Sequence, residues 1–142
     1  MKIKRLDDKA IVPTRGSAEA AGWDLYACLD KNEIIFPRET LLIDTGWSME
    51  IPKNYFGAIY PRSGLAVKYG LRLANGTGII DSDYRGPVKV ALHNDSLNNY
   101  VIKHGDRIAQ LIIIPYESIE MEEVEELEDT DRGTGGFGST GK

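Results

Sequence analysis

The chain has 142 residues, a formal charge of −5 at pH 7 and a pI of about 5.1. That length predicts one domain with a modest core, and the net negative charge argues against a sequence-independent nucleic-acid binder, which needs clustered lysines and arginines. The single cysteine, Cys28, excludes an intrachain disulfide, favours a reducing compartment, and is expected to be a small buried apolar residue.

Secretion and membrane insertion are not expected either. Basic residues stand at the N-terminus, but no apolar stretch follows them, as a signal peptide would require. The aliphatic run at 111–114 is far too short to cross a bilayer. We therefore expect a cytoplasmic protein without nucleic-acid or membrane partners.

Short apolar runs follow one another along the chain, separated by glycine, proline and asparagine, and no long stretch keeps a helical period. Short apolar runs separated by turn residues are typical of an all-β sandwich or barrel. The predicted strands are 2–6, 23–27, 33–36, 41–51, 55–60, 71–74, 79–80, 88–94, 100–102 and 107–115.

One short helix is predicted after the fifth strand. Ser63 would cap a helix running through 64–69, and Gly70 would end it. Two helical turns have little stability alone, so packing must hold them. Arg62, the Ser63 hydroxyl and the free N–H groups of the first turn would together suit an anion. An ordinary capped helix is the alternative.

The segment 75–86 carries the most distinctive pattern. The dipeptide Asn75-Gly76 predicts a tight turn, and the following apolar pair at 79–80 is expected to form part of a hairpin. Asp81 and Tyr84 would then stand at the mouth of that hairpin. The alternative is a plain surface hairpin with polar turn residues.

The C-terminal part changes character twice. The acidic stretch 117–131 has few apolar anchors, which favours a last edge strand or an arm crossing to a neighbouring subunit over a core element. The tail 131–142 is rich in glycine. Its residues 136–142 match the G-x-x-x-x-G-K part of a phosphate-binding P-loop, but the match is rejected because a P-loop needs a strand before it and a helix after it. Its N–H groups, hydroxyls and Arg132 could still gather around phosphates as a closing lid. A disordered end is the alternative.

Five segments taken together resemble the trimeric deoxyuridine triphosphatase (dUTPase) family. They are AGWDLYA at 21–27, PRSGLA at 61–66, GIIDSDYRG at 78–86, GDRIAQL at 105–111 and RGTGGFGSTG at 132–141. The resemblance implies a jelly-roll-like β-barrel of the β-clip, dUTPase-like kind, with one short helix and a flexible glycine-rich C-terminal tail. The barrel domain would span 1–130 and the lid segment 131–142.

The same resemblance implies an enzyme, a dUTP diphosphatase. It would be a homotrimer with shared active sites that converts dUTP to dUMP and pyrophosphate through Mg2+-assisted attack of water on the α-phosphate. Such an enzyme limits uracil incorporation into DNA and supplies dUMP for thymidylate synthesis.

The resemblance also assigns roles around the base and sugar. Asp81 would orient and deprotonate the attacking water, which a positioned carboxylate can do, whereas Asp83 would be a turn residue. Tyr84 would pack on C2′ of the deoxyribose and leave no room for a 2′-hydroxyl. Fixed hydrogen bonds to the uracil edge would reject cytosine. The segment that reads the base would comprise Asn75, Gly78, Ile79 and Ile80.

The phosphates would be held from three places. The helix start contributes Arg62, Ser63 and Gly64, the last strand contributes Gln110, and the tail contributes Arg132 with Gly138 and Ser139. Arg62 and Gln110 would also count with Asp81 as catalytic. Phe137 would stack on uracil, and Lys89 would lie near the bound nucleotide.

Mg2+ prefers phosphate oxygens and waters to a full protein cage, so few direct ligands are expected. Asp24 is the candidate for holding a metal-bound water. The alternative is a buried aspartate that bonds backbone N–H groups of its own turn. His93 and His104 lack the spacing of a metal pair and are expected to be structural.

Two other functions are alternatives to dUTP hydrolysis. A dCTP deaminase would resemble this fold and bind a similar triphosphate. A nucleotide-sensing regulator that binds a partner protein and barely turns over belongs to a different class altogether.

Overall fold

The computed structural model describes residues 1–136. Within that range the chain forms an all-β fold with one short helix, which confirms the predicted fold class. The elements are β1 (Lys2–Arg5), β2 (Trp23–Tyr26), β3 (Glu33–Ile35), β4 (Thr40–Asp44), β5 (Trp47–Glu50), β6 (Tyr55–Tyr60), α1 (Ser63–Tyr69), β7 (Leu71–Leu73), β8 (Gly78–Ile80), β9 (Lys89–Asn94), β10 (Tyr100–Ile102) and β11 (Arg107–Pro115).

The strands of residues 1–136 pair in four antiparallel sheets. The largest has the order β2-β11-β6-β8, the second has the order β4-β9-β7, and two small sheets join β1 to β5 and β10 to β3. Backbone hydrogen bonds between strands do not close this described part of the chain into a continuous barrel. The site depends on the first sheet, because it brings β2, β11, β6 and β8 side by side.

Alternation along the strands builds the core. In β9, Val90, Leu92 and Asn94 are buried while Lys89 is exposed, as expected for a strand with one face on the core. The buried Asn94 is satisfied, because its side-chain amide donates to the carbonyls of Ile35 at 3.0 Å and Asn98 at 2.8 Å. The largest fully buried side chains are Leu25, Ile35, Ile43, Met49, Leu71, Leu73, Leu92, Ile102, Ile108, Leu111, Val88 and Val90.

The predicted strand 41–51 is two strands, separated at Gly46. Gly46 has a φ of 73°, a conformation that breaks the extended chain and that glycine adopts most easily. A β-carbon there would lie 2.5 Å from Cβ of Ala10 and 3.0 Å from Sγ of Cys28. Cys28 is buried as predicted, and this burial raises the pKa of its thiol.

The helix lies where the sequence predicts it, but its capping differs. Arg62, with extended φ and ψ, occupies the N-cap position, and Ser63 is already the first helical residue. In the described chain no side chain caps this N-terminus, so the predicted capping role of Ser63 is wrong. Gly70 ends the helix as predicted, with a φ of 68° and its N–H bonded to the Ala66 carbonyl at 3.1 Å.

The predicted hairpin at 75–86 is also wrong, although its turn is present. Gly76 has a φ of 70°, and its N–H bonds the Leu73 carbonyl at 3.3 Å. The strands on either side belong to different sheets, since β7 pairs with β9 and β8 pairs with β6. The turn therefore carries the chain from one sheet to the other instead of folding it back on itself.

The acidic segment 117–131 contains no strand, so an edge strand within this chain is wrong. Its candidate anchors are exposed, with Ile119 at 81% and Met121 at 100%. An arm crossing to another subunit stays a prediction, as does the domain boundary at residue 130. Among residues 1–136 no helix is long and apolar enough to cross a membrane.

Candidate active site

Strand register gathers the first group of predicted site residues. On the central strand β11, Gln110 lies directly opposite Asp24 of β2 on one side and Tyr60 of β6 on the other. Residues directly opposite in a sheet present their side chains on one face. Arg62 follows two residues after Tyr60, so the start of α1 comes to the same edge of the sheet.

These residues line a cavity of about 430 Å³, which we call the arginine cavity. The carboxylate of Asp24 bridges two guanidinium groups, with Oδ1 3.0 Å from Nε of Arg62 and Oδ2 3.1 Å from Nη1 of Arg107. Gln110 Nε2 donates to the Pro61 carbonyl at 3.0 Å. The lining comprises Gly16, Ala20, Ala21, Gly22, Asp24, Arg62, Ser63, Gly64, Arg107 and Gln110.

The arginine cavity suits a polyanion. Two guanidinium groups face one carboxylate, which leaves an excess of positive charge, and Ser63 adds a hydroxyl. The Asp24 side chain bonds two arginines. The alternative prediction from the sequence was that it bonds backbone N–H groups of its own turn. Arg107 was missed from the sequence. Its only signal there was its place in GDRIAQL, three residues before Gln110.

The second group lies at the end of β8. Asp81 follows the last residue of that strand, and Tyr84 N–H donates to the Asp81 carbonyl at 3.2 Å, which closes a turn. The Tyr84 hydroxyl donates to the Pro87 carbonyl at 3.1 Å. A cavity of about 250 Å³, which we call the tyrosine cavity, is lined by Ile79, Ile80, Asp81, Tyr84, Pro87 and Lys89.

The turn that carries Asp81 and Tyr84 is held by hydrogen bonds from Arg85, a residue that was not predicted to have a role. Nη1 of Arg85 donates to the carbonyls of Ser82 at 2.7 Å and Tyr84 at 2.9 Å. The Arg85 carbonyl in turn accepts from Oγ of Ser48 on β5 at 2.7 Å. The turn is thus tied both to itself and to a neighbouring strand.

The predicted base-reading segment divides between core and surface. Gly78 and Ile80 are buried, and a β-carbon on Gly78 would lie 3.2 Å from Cβ of Ile59. Ile79 is 57% exposed and faces outward, where it also adjoins a hollow beside Phe56. Asn75 lies in the turn before β8. Its side-chain amide nitrogen is 3.5 Å from the position that a β-carbon on Gly78 would occupy.

The remaining predicted residues are less closely grouped. Lys89 lines the tyrosine cavity, with Nζ 3.6 Å from Oδ2 of Asp44. Arg132 bonds the carbonyl of Gly135 at 2.9 Å, within its own segment. The predictions for Phe137, Gly138 and Ser139 lie outside the described residues.

The two histidines lie in hydrogen bonds with neighbouring strands and loops. His93 Nδ1 is 2.8 Å from the Thr40 hydroxyl, and His104 Nδ1 accepts from the Leu29 N–H at 3.3 Å. Among residues 1–136 no group of three histidine, cysteine or acidic side chains could hold a metal ion.

The two cavities lie toward opposite ends of β6. Ile80 pairs with Gly57 near the start of that strand, whereas Arg62 follows its end. At about 3.3 Å per extended residue, Asp81 and Arg62 of one chain are roughly 20 Å apart along the strand. Among the described residues, the two cavities share none of their lining.

Comparison with known proteins places this geometry in context. The dUTPase family model matches residues 8–141. A protein from Nautilia profundicola, named deoxyuridine 5'-triphosphate nucleotidohydrolase, is 51% identical over 100% of this chain and 99% of its own length. The mouse protein of the same name is 46% identical over 100% of this chain and 85% of its own length.

Solved structures give the same result. The Staphylococcus bacteriophage 80alpha dUTPase with dUPNHPP matches at a TM-score of 0.90 and 31% identity, covering 99% of this chain and 98% of that one. A dUTPase variant from phage phi11 of S. aureus, described with a structural Mg(II) ion, matches at a TM-score of 0.82 and 27% identity, covering 90% and 98%. The predicted resemblance is confirmed, and the chain belongs to the dUTPase family of enzymes.

Proposed function

We propose that this enzyme hydrolyses dUTP to dUMP and pyrophosphate. The observation that carries the proposal is that the two cavities present different chemical groups. One combines the Asp81 carboxylate with a tyrosine ring, and the other combines two arginines with a serine hydroxyl and an amide. These are the groups that a nucleoside and a triphosphate, respectively, would need.

The tyrosine cavity would hold the deoxyuridine. Uracil would bond the edge of β8 and its preceding turn, at Asn75, Gly78, Ile79 and Ile80, and the ring of Tyr84 would pack on the deoxyribose. Fixed backbone groups select one hydrogen-bonding edge, because a mismatched base leaves buried donors or acceptors unpaired. Lys89, at the rim of the cavity, would lie near the nucleotide.

Asp81 would act as the general base. A water between its carboxylate and the α-phosphate would lose a proton to the carboxylate as its oxygen bonds to the α-phosphorus. The bond from that phosphorus to the bridging oxygen then breaks, and pyrophosphate leaves. A positioned base typically contributes about 10²–10⁴-fold to such a step, and in-line positioning of the phosphates contributes the rest.

The arginine cavity would grip the phosphates. Arg62, Ser63, Gly64 and Gln110 would contact their oxygens, and Arg107 adds a second guanidinium that the sequence did not predict. Positive charge aimed at the phosphate oxygens stabilises charge that grows as the anhydride breaks. In the tail, Arg132, Gly138 and Ser139 would complete this grip while Phe137 covers the uracil.

Mg2+ takes oxygen ligands and keeps several waters, so it would enter the arginine cavity with the phosphates and need few protein ligands. Asp24 offers a carboxylate at the wall of the arginine cavity, and Gln110 has its side-chain carbonyl free of the Pro61 contact. The ion would neutralise phosphate charge. Asp24 would be the residue that holds it, through a water.

The separation along β6 supports sites that are shared between subunits, and family membership supports the homotrimer. A general base must reach its water directly, and that water must lie against the α-phosphate. With roughly 20 Å along the strand between Asp81 and Arg62 of one chain, the two residues cannot serve the same phosphate chain. Each site would therefore combine the tyrosine cavity of one subunit with the arginine cavity of another.

Mixing two inactive variants tests this arrangement. Trimers formed together from Asp81→Asn and Arg62→Ala chains are expected to regain about one quarter of the wild-type activity, because random assembly gives that share of sites both native residues. Activity is measured after co-refolding at equal concentration. Each variant refolded alone is the control, and mixed trimers no more active than these would mean that one chain supplies both residues.

Substrate choice tests the function itself. Pyrophosphate release with Mg2+ is expected to be far faster with dUTP than with dTTP, dCTP or UTP, since each of the others adds or changes one group that the tyrosine cavity would read. Parallel assays of the four nucleotides, with and without EDTA, measure this. Similar rates on all four would contradict the assignment, and rates unchanged by EDTA would contradict the role of Mg2+.

The cellular role follows from the reaction. Removing dUTP would limit uracil incorporation into DNA, and the dUMP formed would supply thymidylate synthesis, both in the cytoplasm. The relatives are named as nucleotidohydrolases, which favours hydrolysis over deamination of dCTP.

A further inference from the structure

Some positions of this chain favour glycine, for one of two reasons: a positive φ or a lack of space for a side chain. Gly46, Gly70 and Gly76 have positive φ, so their backbone conformation favours glycine. Gly86 is not one of the glycines with positive φ, so its φ is not the reason that glycine is favoured there. The absence of a side chain at Gly86 therefore leaves space for a neighbouring residue.

That neighbour is the ring of Tyr84. A β-carbon on Gly86 would overlap Oη of Tyr84 and would lie 2.6 Å from its Cζ and 3.0 Å from its Cε2. All three contacts are well inside van der Waals distance, which for carbon atoms is about 3.5–4.0 Å. The outer edge of the tyrosine ring thus lies directly over the space that any other residue would fill.

The ring is fixed in this place from two further directions. Its hydroxyl donates to the carbonyl of Pro87 at 3.1 Å, one residue beyond the glycine. The backbone of Tyr84 is held by Arg85, whose guanidinium bonds the Tyr84 carbonyl at 2.9 Å. Hydrogen bonds hold both the backbone and the hydroxyl of Tyr84. The absence of a side chain at Gly86 then determines where the ring itself can lie.

We propose that Gly86 is a positioning residue for sugar selectivity, acting only through the ring of Tyr84. This inference rests on the proposed function, in which that ring excludes a 2′-hydroxyl from the tyrosine cavity. A side chain at position 86 would move the ring by about 1 Å, a displacement large enough to change catalysis by about 10²-fold where geometry is critical.

The test compares four proteins: wild type, Gly86→Ala, Tyr84→Ala and the double variant. The kcat/KM for dUTP and for UTP is measured for each. Gly86→Ala is expected to lower kcat/KM for dUTP by about 10–100-fold and to lower the dUTP:UTP ratio by about tenfold. In the Tyr84→Ala background, adding Gly86→Ala is expected to change the ratio by less than about twofold, since the ring through which it acts is gone.

The outcomes separate this inference from the proposed function. Wild-type protein that does not prefer dUTP to UTP would overturn the role of Tyr84 and the inference with it. A selective wild type with an unchanged ratio in Gly86→Ala, or an equal loss with and without Tyr84, would overturn the inference alone. Thermal unfolding of each variant shows that it is folded.

If Gly86→Ala does not fold, Tyr84→Phe provides the second measurement. This variant keeps the ring and removes the hydroxyl together with its bond to Pro87. It also removes the closest of the three contacts that a β-carbon at position 86 would make, while the two contacts with ring carbons remain. Adding Gly86→Ala to Tyr84→Phe is therefore still expected to lower the dUTP:UTP ratio below that of Tyr84→Phe alone, and an unchanged ratio would overturn the inference.

Discussion

Replacing Asp81 with asparagine is expected to lower dUTP turnover by about 10²–10⁴-fold and to leave nucleotide binding nearly intact. Asparagine has the shape of aspartate and can still hydrogen-bond a water, but it cannot take the proton that the attacking water must lose. Single-turnover kinetics would measure the loss, and calorimetric titration with a non-hydrolysable dUTP analogue would measure binding.

Asp83 provides the matched control for that experiment. It lies two residues further along the same exposed turn and is not part of the tyrosine cavity lining. Asp83→Asn is expected to retain close to wild-type turnover. If Asp81→Asn remained active, the proton acceptor would have to be another group, and if both variants lost activity equally, the turn itself and not one carboxylate would be responsible.

Replacing Arg62 with alanine is expected to lower kcat/KM for dUTP by about 10²–10³-fold, the usual loss for one preorganised electrostatic group. Arg62 is held in place by Asp24, whose side chain is only 12% exposed and whose other oxygen bonds Arg107, a contact that the substitution does not remove. The fold should therefore survive. Steady-state kinetics with dUTP and thermal unfolding would separate the two effects.

Two further substitutions make the Arg62 result specific. Arg62→Lys keeps the charge but loses the planar fork, so we expect it to recover only part of the activity. Arg38→Ala removes an exposed arginine that lines neither cavity in residues 1–136, and it should leave kinetics unchanged. Equal losses in Arg38→Ala and Arg62→Ala would indicate a general effect of net charge instead of a phosphate contact.

The sequence predicts the strands well because their signals are local. Turn residues and β-branched runs mark both ends of most strands, and the register then follows from burial. It predicts strand partners poorly. The turn at Asn75-Gly76 was recognised, but β8 pairs with β6 because that edge of another sheet is open to it, and no local signal carries this information.

The site shows the same limit at the scale of side chains. Asp24, Arg62 and Gln110 lie together because strand register aligns them, and motif resemblance had already grouped them. Arg85 and Arg107 were missed, since a long side chain reaches several ångströms from its own position and the sequence does not show where it ends. The lack of room for a side chain at Gly46 likewise comes from Ala10 and Cys28, both distant in sequence.

Because Cys28 is buried next to Gly46, the reactivity of its thiol can report local opening of this part of the protein. Cys28 is the one thiol in the sequence, it is buried, and the raised pKa keeps it protonated at neutral pH. A thiol reagent can therefore react quickly only when the residues that bury Cys28 separate from it. The rate of single-site labelling would report the free energy of that local opening without any mutation.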